Sequence, residues 1–342
     1  MKNRRRRGRG VLFLSIGILS VLYMALFLSP RIALALDTLV GAHLRALLSR
    51  GLTGIPISVT EWLLLALPGL LLLFLPLACL AAQSASATRR LVAFLLIPAT
   101  VATALYVLTF ATGRHTPPVA ERLSLPTEPP PTSGEMLAAA TWLSSLSAEL
   151  PEYPGDSAVQ DALRAAYGAA GESYGFSPNT HVAVKATATP IFLRLGYFGL
   201  YAFPLGEITL AAECPHAIRT FTLAHEMAHA SGFAREEEAD LIALLVGVTS
   251  GDAYIAGAVA EGILGRFLDS LAVTAPAVWR EVSAGLSPAT REELDRAGDI
   301  YESGRATEAL APTTPDYGQT VLLTVALYRC ISSRGDVDAS IL

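Results

Sequence analysis

The sequence predicts a mainly helical membrane protein, in which three transmembrane helices precede a separate α+β domain with few strands. The chain of 342 residues is 52% hydrophobic and 16% charged, with a mean hydropathy of +0.46, which is high for a wholly soluble protein. Three uncharged apolar runs lie in its first third. Two histidines and five acidic residues are then concentrated in the stretch 222–240.

The apolar runs define a membrane domain, residues 11–114. We expect spans at about 11–29, 62–82 and 91–112, each long enough to cross roughly 30 Å of hydrocarbon. Membrane helices tolerate the prolines inside the second and third runs. A cleaved signal peptide is the alternative for the first run, but no clear small-x-small cleavage site follows it.

Basic residues predict the orientation. A basic arm at residues 1–10 precedes the first span, and Arg89 and Arg90 stand between the second and the third. The positive-inside rule makes both regions cytoplasmic, so the chain after Arg114 is extracytoplasmic. The apolar spacing of residues 31–48 suits an amphipathic helix lying on the membrane. The arm lacks interleaved aromatic residues, which argues against nucleic-acid binding.

The rest of the chain divides into a linker and one domain. Residues 115–133 are rich in proline and predict a stiff, extended linker. The extracytoplasmic domain then covers 134–342. Its strands are expected within the aromatic and β-branched stretch 189–211, and helices elsewhere.

The stretch 222–240 contains the motif that carries chemistry. A helix is expected from Pro215 to Gly232, and His225 and His229 are four apart on it, so both imidazoles project from one face. Glu226 is placed to reach a water on a metal held by that pair. This is the HExxH pattern of zinc metallopeptidases. The neighbouring positions are uncharged, and Ser231 is polar where an apolar residue is common.

A catalytic zinc requires a third protein ligand. In one zincin group the chain turns at a glycine three residues after the second histidine, as at Gly232, and a ligand follows soon afterwards. Arg235 cannot ligate, so Glu236 is our first choice, with Glu238 and Asp240 as alternatives. Without a metal, the acids would simply favour the positive N-terminus of the next helix. If Glu236 ligates, Asp240 is expected to hydrogen-bond a ligand histidine.

Two further residues are weaker candidates for substrate binding. Glu207 stands on a predicted strand, where zincins often bind extended peptide, although a solvated acid at a strand end fits equally well. Tyr317 could supply a hydroxyl that stabilises an oxyanion, although tyrosine in a helical domain is more often part of the core.

Four segments, which sample nearly the whole chain, resemble domain-of-unknown-function family 3810. This family of bacterial membrane proteins pairs three N-terminal spans with an HExxH domain. The segments are ATGRHTPPVAERLSL, YAFPLGEITLA, TLAHEMAHASGFAREEEAD and PDYGQTVLLTVALYR. Asp240 stands where the family is expected to favour Asn. The resemblance implies a zincin-like fold and a metal more than a substrate, in a multi-pass protein of the bacterial inner membrane.

The sequence therefore predicts a membrane-anchored zinc metallopeptidase with one Zn²⁺ per chain. His225, His229 and Glu236 would hold the metal, and Glu226 would act as general base. The expected partners are the lipid bilayer and a peptide or protein substrate near its surface. The alternative is a non-catalytic binding or scaffolding protein that retains the zincin fold. An active site inside the bilayer is disfavoured by the charged cluster 235–240.

Overall fold

The computed structural model describes residues 17–18, 20–21, 23–24, 29–148, 150–304 and 317–334. The basic arm and most of the first predicted span therefore lie outside the described residues. The described chain is mainly helical, with few strands in one small open sheet, which confirms the predicted balance of secondary structure.

Three helices near the N-terminus are long and apolar enough to cross a membrane. They are α1 (Pro30–Leu52), α2 (Val59–Ala82) and α3 (Ala85–His115). The helices α2 and α3 cover the spans predicted at 62–82 and 91–112. The helix α1 covers the loop in which we predicted an amphipathic surface helix.

Both α1 and α3 are interrupted by one π-helical segment, which is Asp37–Gly41 in α1 and Val107–Ala111 in α3. The two segments pack against each other. The extra backbone residue in such a turn locally redirects side chains, and π-bulges frequently lie at functional sites. The junction therefore differs from an ordinary contact between two straight apolar helices.

The hairpin of α2 and α3 is bare along most of its length. None of the most apolar 18-residue window of α2 is buried by protein, and α3 becomes buried only near Val107. At the same end of the hairpin, the first turn of α2 is buried at Thr60 and Glu61. The rest of the protein therefore packs where α2 begins and α3 ends, and leaves a long apolar surface that no described part of the protein covers.

The remaining helices form one packed body around the sheet. They are α4 (Val119–Arg122), α5 (Ser133–Ser147), α6 (Asp156–Tyr174), α7 (Ile191–Arg194), α8 (His216–Ala230), α9 (Glu236–Thr249), α10 (Ala253–Thr274), α11 (Pro276–Gly285), α12 (Pro288–Gly304) and α13 (Gly318–Arg334).

The sheet has three strands in the order β1-β3-β2. Strand β1 (Ala183–Ala186) runs parallel to the central strand β3 (Glu207–Leu210), and β2 (Gly199–Ala202) runs antiparallel to it. Both β2 and β3 lie against α8. The antiparallel edge strand is therefore a neighbour of the HExxH helix.

The core is centred on α8, α9 and α10. Helices α8 and α10 approach closely at Gly262, where a β-carbon would lie 2.1 Å from the ring of Phe221. Val119 and Leu125 also belong to this core. The segment 115–133, predicted as an extended linker, thus contains the short helix α4. It packs onto the domain because its apolar side chains Val119 and Leu125 are buried in the domain core.

Candidate metal centre

The helix α8 presents the two histidines from a buried position. His225 and His229 are only 3% and 8% exposed. The helix ends at Ala230, and Gly232 follows with φ of +104°, a left-handed conformation that glycine adopts readily. This turn reverses the chain and starts α9 at Glu236, so the sequence-predicted ligands meet.

Three ligand atoms converge at this turn. The Nε2 atoms of His225 and His229 are 3.1 Å apart. Oε2 of Glu236 lies 3.2 Å from Nε2 of His225, and Oε1 of the same carboxylate lies 3.6 Å from Nε2 of His229. Among the described residues, this group is the one in which three such side chains lie close enough to hold one metal ion.

The other nitrogen of each imidazole faces an acceptor. Nδ1 of His225 lies 2.8 Å from Oδ1 of Asp240, and Nδ1 of His229 lies 2.7 Å from the carbonyl of Phe233. In the neutral rings each Nδ1–H therefore donates outward, and both Nε2 atoms present lone pairs to the same point. Together with the carboxylate, they form a set of acceptors that can hold a positive charge at its centre.

The pKa values of His225 and Glu236 also favour a positive charge between the histidines and the carboxylate. Burial and the charge of Arg266 oppose protonation of His225, but hydrogen bonds to Asp240 and Glu236 outweigh them and raise its pKa to about 9. The Glu236 side chain is 60% exposed; partial desolvation of its carboxylate favours the neutral form, yet hydrogen bonds from the two histidines hold its pKa well below its usual range. A proton on His225 or a metal ion can supply the missing charge, and the two would compete.

Asp240 is the hub of a second layer of contacts. Its carboxylate bonds His225, receives a hydrogen bond from Thr320 Oγ1 at 2.9 Å and forms an ion pair with Arg266. Burial opposes ionisation, but the positive charge of Arg266 and the bond to His225 lower the pKa of Asp240 to about 2. The predicted hydrogen bond between Asp240 and a histidine of the motif is present.

Arg266 and Thr320 are participants that the sequence did not reveal. They lie 26 and 80 residues from Asp240 along the chain, and no local pattern marks them. The guanidinium of Arg266 lies 4.8 Å from the ring centre of Phe221 and 5.4 Å from that of Tyr317. Tyr317 is therefore close to the second layer, and burial raises the pKa of its hydroxyl.

Glu226 lies under the edge strand. Its Oε2 accepts a hydrogen bond of 2.7 Å from the backbone N–H of Tyr201 in β2. Gly199 lets the strand come this close, since a β-carbon there would lie 2.5 Å from Thr222 and 3.5 Å from Glu226. This hydrogen bond holds Oε2 in place and thereby also fixes the orientation of Oε1, the other carboxylate oxygen.

The structure does not bring Glu207 or Glu238 into the cluster. Glu207 is fully buried on the central strand, and its carboxylate accepts hydrogen bonds from Ser58 Oγ, Val59 N and Thr60 N at the start of α2. It therefore joins the sheet to the first turn of the apolar helix α2, in contrast to the predicted contact with substrate.

Glu238 is directed to the segment that leads out of α3. Its Oε1 accepts hydrogen bonds from Val119 N at 2.9 Å and from Arg235 at 2.6 Å. Burial raises its pKa. Of the three acids considered as third ligand, Glu236 is the one whose carboxylate lies beside both histidines.

Fold and site together define a class: a mainly helical chain with three helices apolar enough to cross a membrane, joined to a domain with a His/His/Glu cluster. The chain belongs to the family described as "Protein of unknown function (DUF3810)", which it matches over residues 41–314. This confirms the family resemblance. Comparisons with curated proteins and with solved structures found no match.

Proposed function

We propose that this protein is a membrane-anchored zinc metallopeptidase with a zincin-like catalytic domain. The observation that carries the proposal is the convergence of three metal-ligand atoms within 4.8 Å of one another, with both Nδ1 atoms directed to acceptors. A histidine pair that merely packed in a core would not need its lone pairs aimed at a carboxylate.

The ligand set favours one zinc per chain. Two imidazoles and one carboxylate are the protein ligands of several catalytic zinc sites, which leave a fourth position for water. A zinc ion held by these residues at about 2.0–2.1 Å in tetrahedral geometry would have its ligand atoms about 3.3 Å apart. The two Nε2 atoms are 3.1 Å apart and Oε2 of Glu236 lies 3.2 Å from Nε2 of His225, close to that value, whereas the carboxylate faces His229 through Oε1, at 3.6 Å. Bound zinc would polarise a scissile carbonyl and lower the pKa of its water to about 7.

The residues of the chain then divide the work. Glu226 takes the proton of the attacking water and passes it to the leaving amine, held in place by the Tyr201 N–H. Asp240 and the Phe233 carbonyl keep the two imidazoles in the tautomer that ligates through Nε2. Arg266, 22% exposed beside Asp240, balances the negative charge of the second layer.

The arrangement of helices supports a substrate close to the membrane. The domain packs at one end of the bare α2–α3 hairpin, and α9, which carries Glu236, follows a turn that touches α3: Gly113 is so near that a β-carbon would lie 2.2 Å from the Gly232 carbonyl. We therefore propose peptide or protein substrates at the bilayer surface. The proposed location is the bacterial inner membrane, with a cytoplasmic N-terminus and an extracytoplasmic C-terminal domain.

The first test is metal content. Detergent-purified protein should contain about one zinc per chain, measured by elemental analysis. His225→Ala should lose the metal, because the site loses a ligand. Glu226→Gln should keep it, because Glu226 does not ligate in this proposal, and it should lack peptidase activity on a library of membrane-tethered peptides.

The two variants also separate the competing functions. Zinc lost in His225→Ala, with turnover in the wild type that disappears in Glu226→Gln, supports the peptidase. Zinc with no turnover of any library member would favour the non-catalytic scaffold. A wild-type protein that binds no zinc even when the metal is added back would overturn the proposal.

A further inference from the structure

A buried ion pair in α1 lies directly against the turn of the metal centre. Arg45 is 1% exposed, and its guanidinium binds the Asp37 carboxylate through two bonds of 2.6 and 3.1 Å. Nη1 also donates to the Thr109 carbonyl at 3.1 Å, and Nη2 lies 3.5 Å from the Ser231 carbonyl. One side chain thus connects α1, α3 and the end of the HExxH helix.

Three glycines make this approach sterically feasible. A β-carbon on Gly232 would lie 2.6 Å from Arg45 Nη2 and 2.7 Å from Asp37 Oδ2. A β-carbon on Gly41 would lie 2.7 Å from the backbone of α3, and one on Gly113 would collide with the Gly232 carbonyl. The ion pair and the turn are therefore in contact without any intervening side chain.

The turn that Arg45 contacts sets the position of two metal ligands. The Phe233 carbonyl, one residue after Gly232, holds Nδ1 of His229. Glu236 follows three residues later, at the first position of α9. A shift of this turn would therefore move one ligand directly and change the path of the chain to another.

A second set of hydrogen bonds ties the same turn to α1. Ser231 Oγ accepts from Asn179 N at 3.2 Å, and the Asn179 amide donates to Ser49 Oγ at 2.9 Å. This explains why position 231 carries a polar residue where the motif usually has an apolar one. The turn is thus held from α1 by two routes, through Arg45 and through Ser49.

We propose that the Asp37–Arg45 pair is a positioning element of the metal centre, which makes α1 part of the site. The inference rests on the proposed metal site. Burying an ion pair is not in itself stabilising compared with apolar residues of similar size, so stability alone does not explain a pair at this place. The guanidinium of Arg45, held by the Asp37 carboxylate, instead constrains the Ser231 carbonyl in the turn relative to the Thr109 carbonyl in α3.

The test compares zinc affinity in full-length protein in detergent. The double variant Asp37→Asn/Arg45→Met removes both charges and so leaves no buried ion unpaired. Removal of groups that orient metal ligands typically weakens metal binding about 10–100-fold, and we expect a loss in that range. The melting temperature with chelator present should stay near that of the wild type. The cobalt-substituted variant should also show an altered visible absorption spectrum.

A milder variant and a matched control make the result specific. Arg45→Lys keeps the pair but cannot bond both carbonyls, so it should lose less affinity than the double variant. Glu61→Gln is the control, because Glu61 joins α2 to the domain through the N–H groups of Ala188 and Thr189. It should destabilise the junction and leave zinc affinity unchanged.

The outcomes are distinct. Wild-type zinc affinity in the double variant, or an equal loss in Glu61→Gln, would overturn the positioning role while leaving the metallopeptidase proposal intact. If the double variant does not fold, Arg45→Lys decides by the same measurement. If the wild type itself binds no zinc, both the metallopeptidase proposal and the positioning role fail.

Discussion

The helices α1 and α2 are both long and apolar enough to cross a membrane, yet they use their polar residues differently. The mean hydropathy of the best window is 1.4 in α1 and 2.6 in α2, and 22% of that window is buried in α1 against 0% in α2. Buried Arg45 and Ser49 lie within α1, both bonded to other parts of the protein. The buried polar residues of α2 stand in its first turn.

This difference shows what length and hydropathy leave undetermined. A charged side chain inside an apolar helix is costly unless it is paired and hydrogen-bonded. In α1 the charges are paired with each other and with backbone carbonyls of α3 and the HExxH turn. The polar residues therefore mark α1 as a helix that packs into the protein, whereas the uncharged body of α2 faces outward.

The largest expected effect follows from breaking the pair in α1. Arg45→Met leaves the Asp37 carboxylate without its partner, and removing one member of a buried pair costs about 3–5 kcal/mol. The matched change Leu72→Met in α2 should alter stability by less than about 0.5 kcal/mol, because Leu72 is 71% exposed. Reversible unfolding of each variant and of the wild type in mixed micelles, with chelator present, measures both changes in stability.

A double-variant cycle completes this comparison. Adding Asp37→Asn to Arg45→Met should restore most of the lost stability, because the unpaired charge is then absent. Equal destabilisation by Arg45→Met and Leu72→Met would contradict the view that α1 and α2 belong to different classes of helix.

Much of the fold could be predicted because it depends on local signals. Uncharged runs of sufficient length predicted α2 and α3, and the spacing of His225 and His229 predicted one helix face. The proline content of residues 115–133 alone favoured a stiff, extended linker. This prediction missed that Val119 and Leu125 could bury against the domain, since core contacts depend on distant parts of the chain.

The site was predictable up to the point where its partners become distant in sequence. Glu236 and Asp240 followed from the turn after Gly232 and the register of the next helix. Arg266 comes from another helix and carries no motif, so sequence could not place it. Glu207 was misjudged for the same reason, because its partners at the start of α2 are almost 150 residues away.

A smaller effect is expected at Glu261, a buried acid whose Oε1 has no hydrogen-bond partner among the described residues, unlike Asp37, which is paired with Arg45. Glu261 is 2% exposed. Burial, with the nearby charge of Glu293, raises its pKa to about 8. The folded protein thus holds this proton more tightly than the unfolded chain, so stability falls as pH rises from about 4.5 to 8.

Glu261→Gln should remove this pH dependence. At pH 6 we expect the variant to be more stable than the wild type by on the order of 2 kcal/mol, and below about pH 4.5 the two should be equal. Thermal unfolding across this pH range measures the difference. A variant that is less stable than the wild type at pH 8 would mean that the carboxylate has a stabilising partner, as Asp37 does.

The smallest expected effect concerns the end of α2 that does contact the domain. Glu207→Gln replaces a carboxylate that accepts from Thr60 N at 2.9 Å and Val59 N at 3.3 Å, at the positive end of the helix dipole. The amide keeps one oxygen but turns an NH₂ group toward a donor, which should cost about 1–2 kcal/mol. Because these contacts do not touch the turn 231–233, zinc affinity should be unchanged while the melting temperature falls. If zinc affinity falls as it does when Arg45 is changed, then α2 also positions the metal centre, and the distinction between the two helices is wrong.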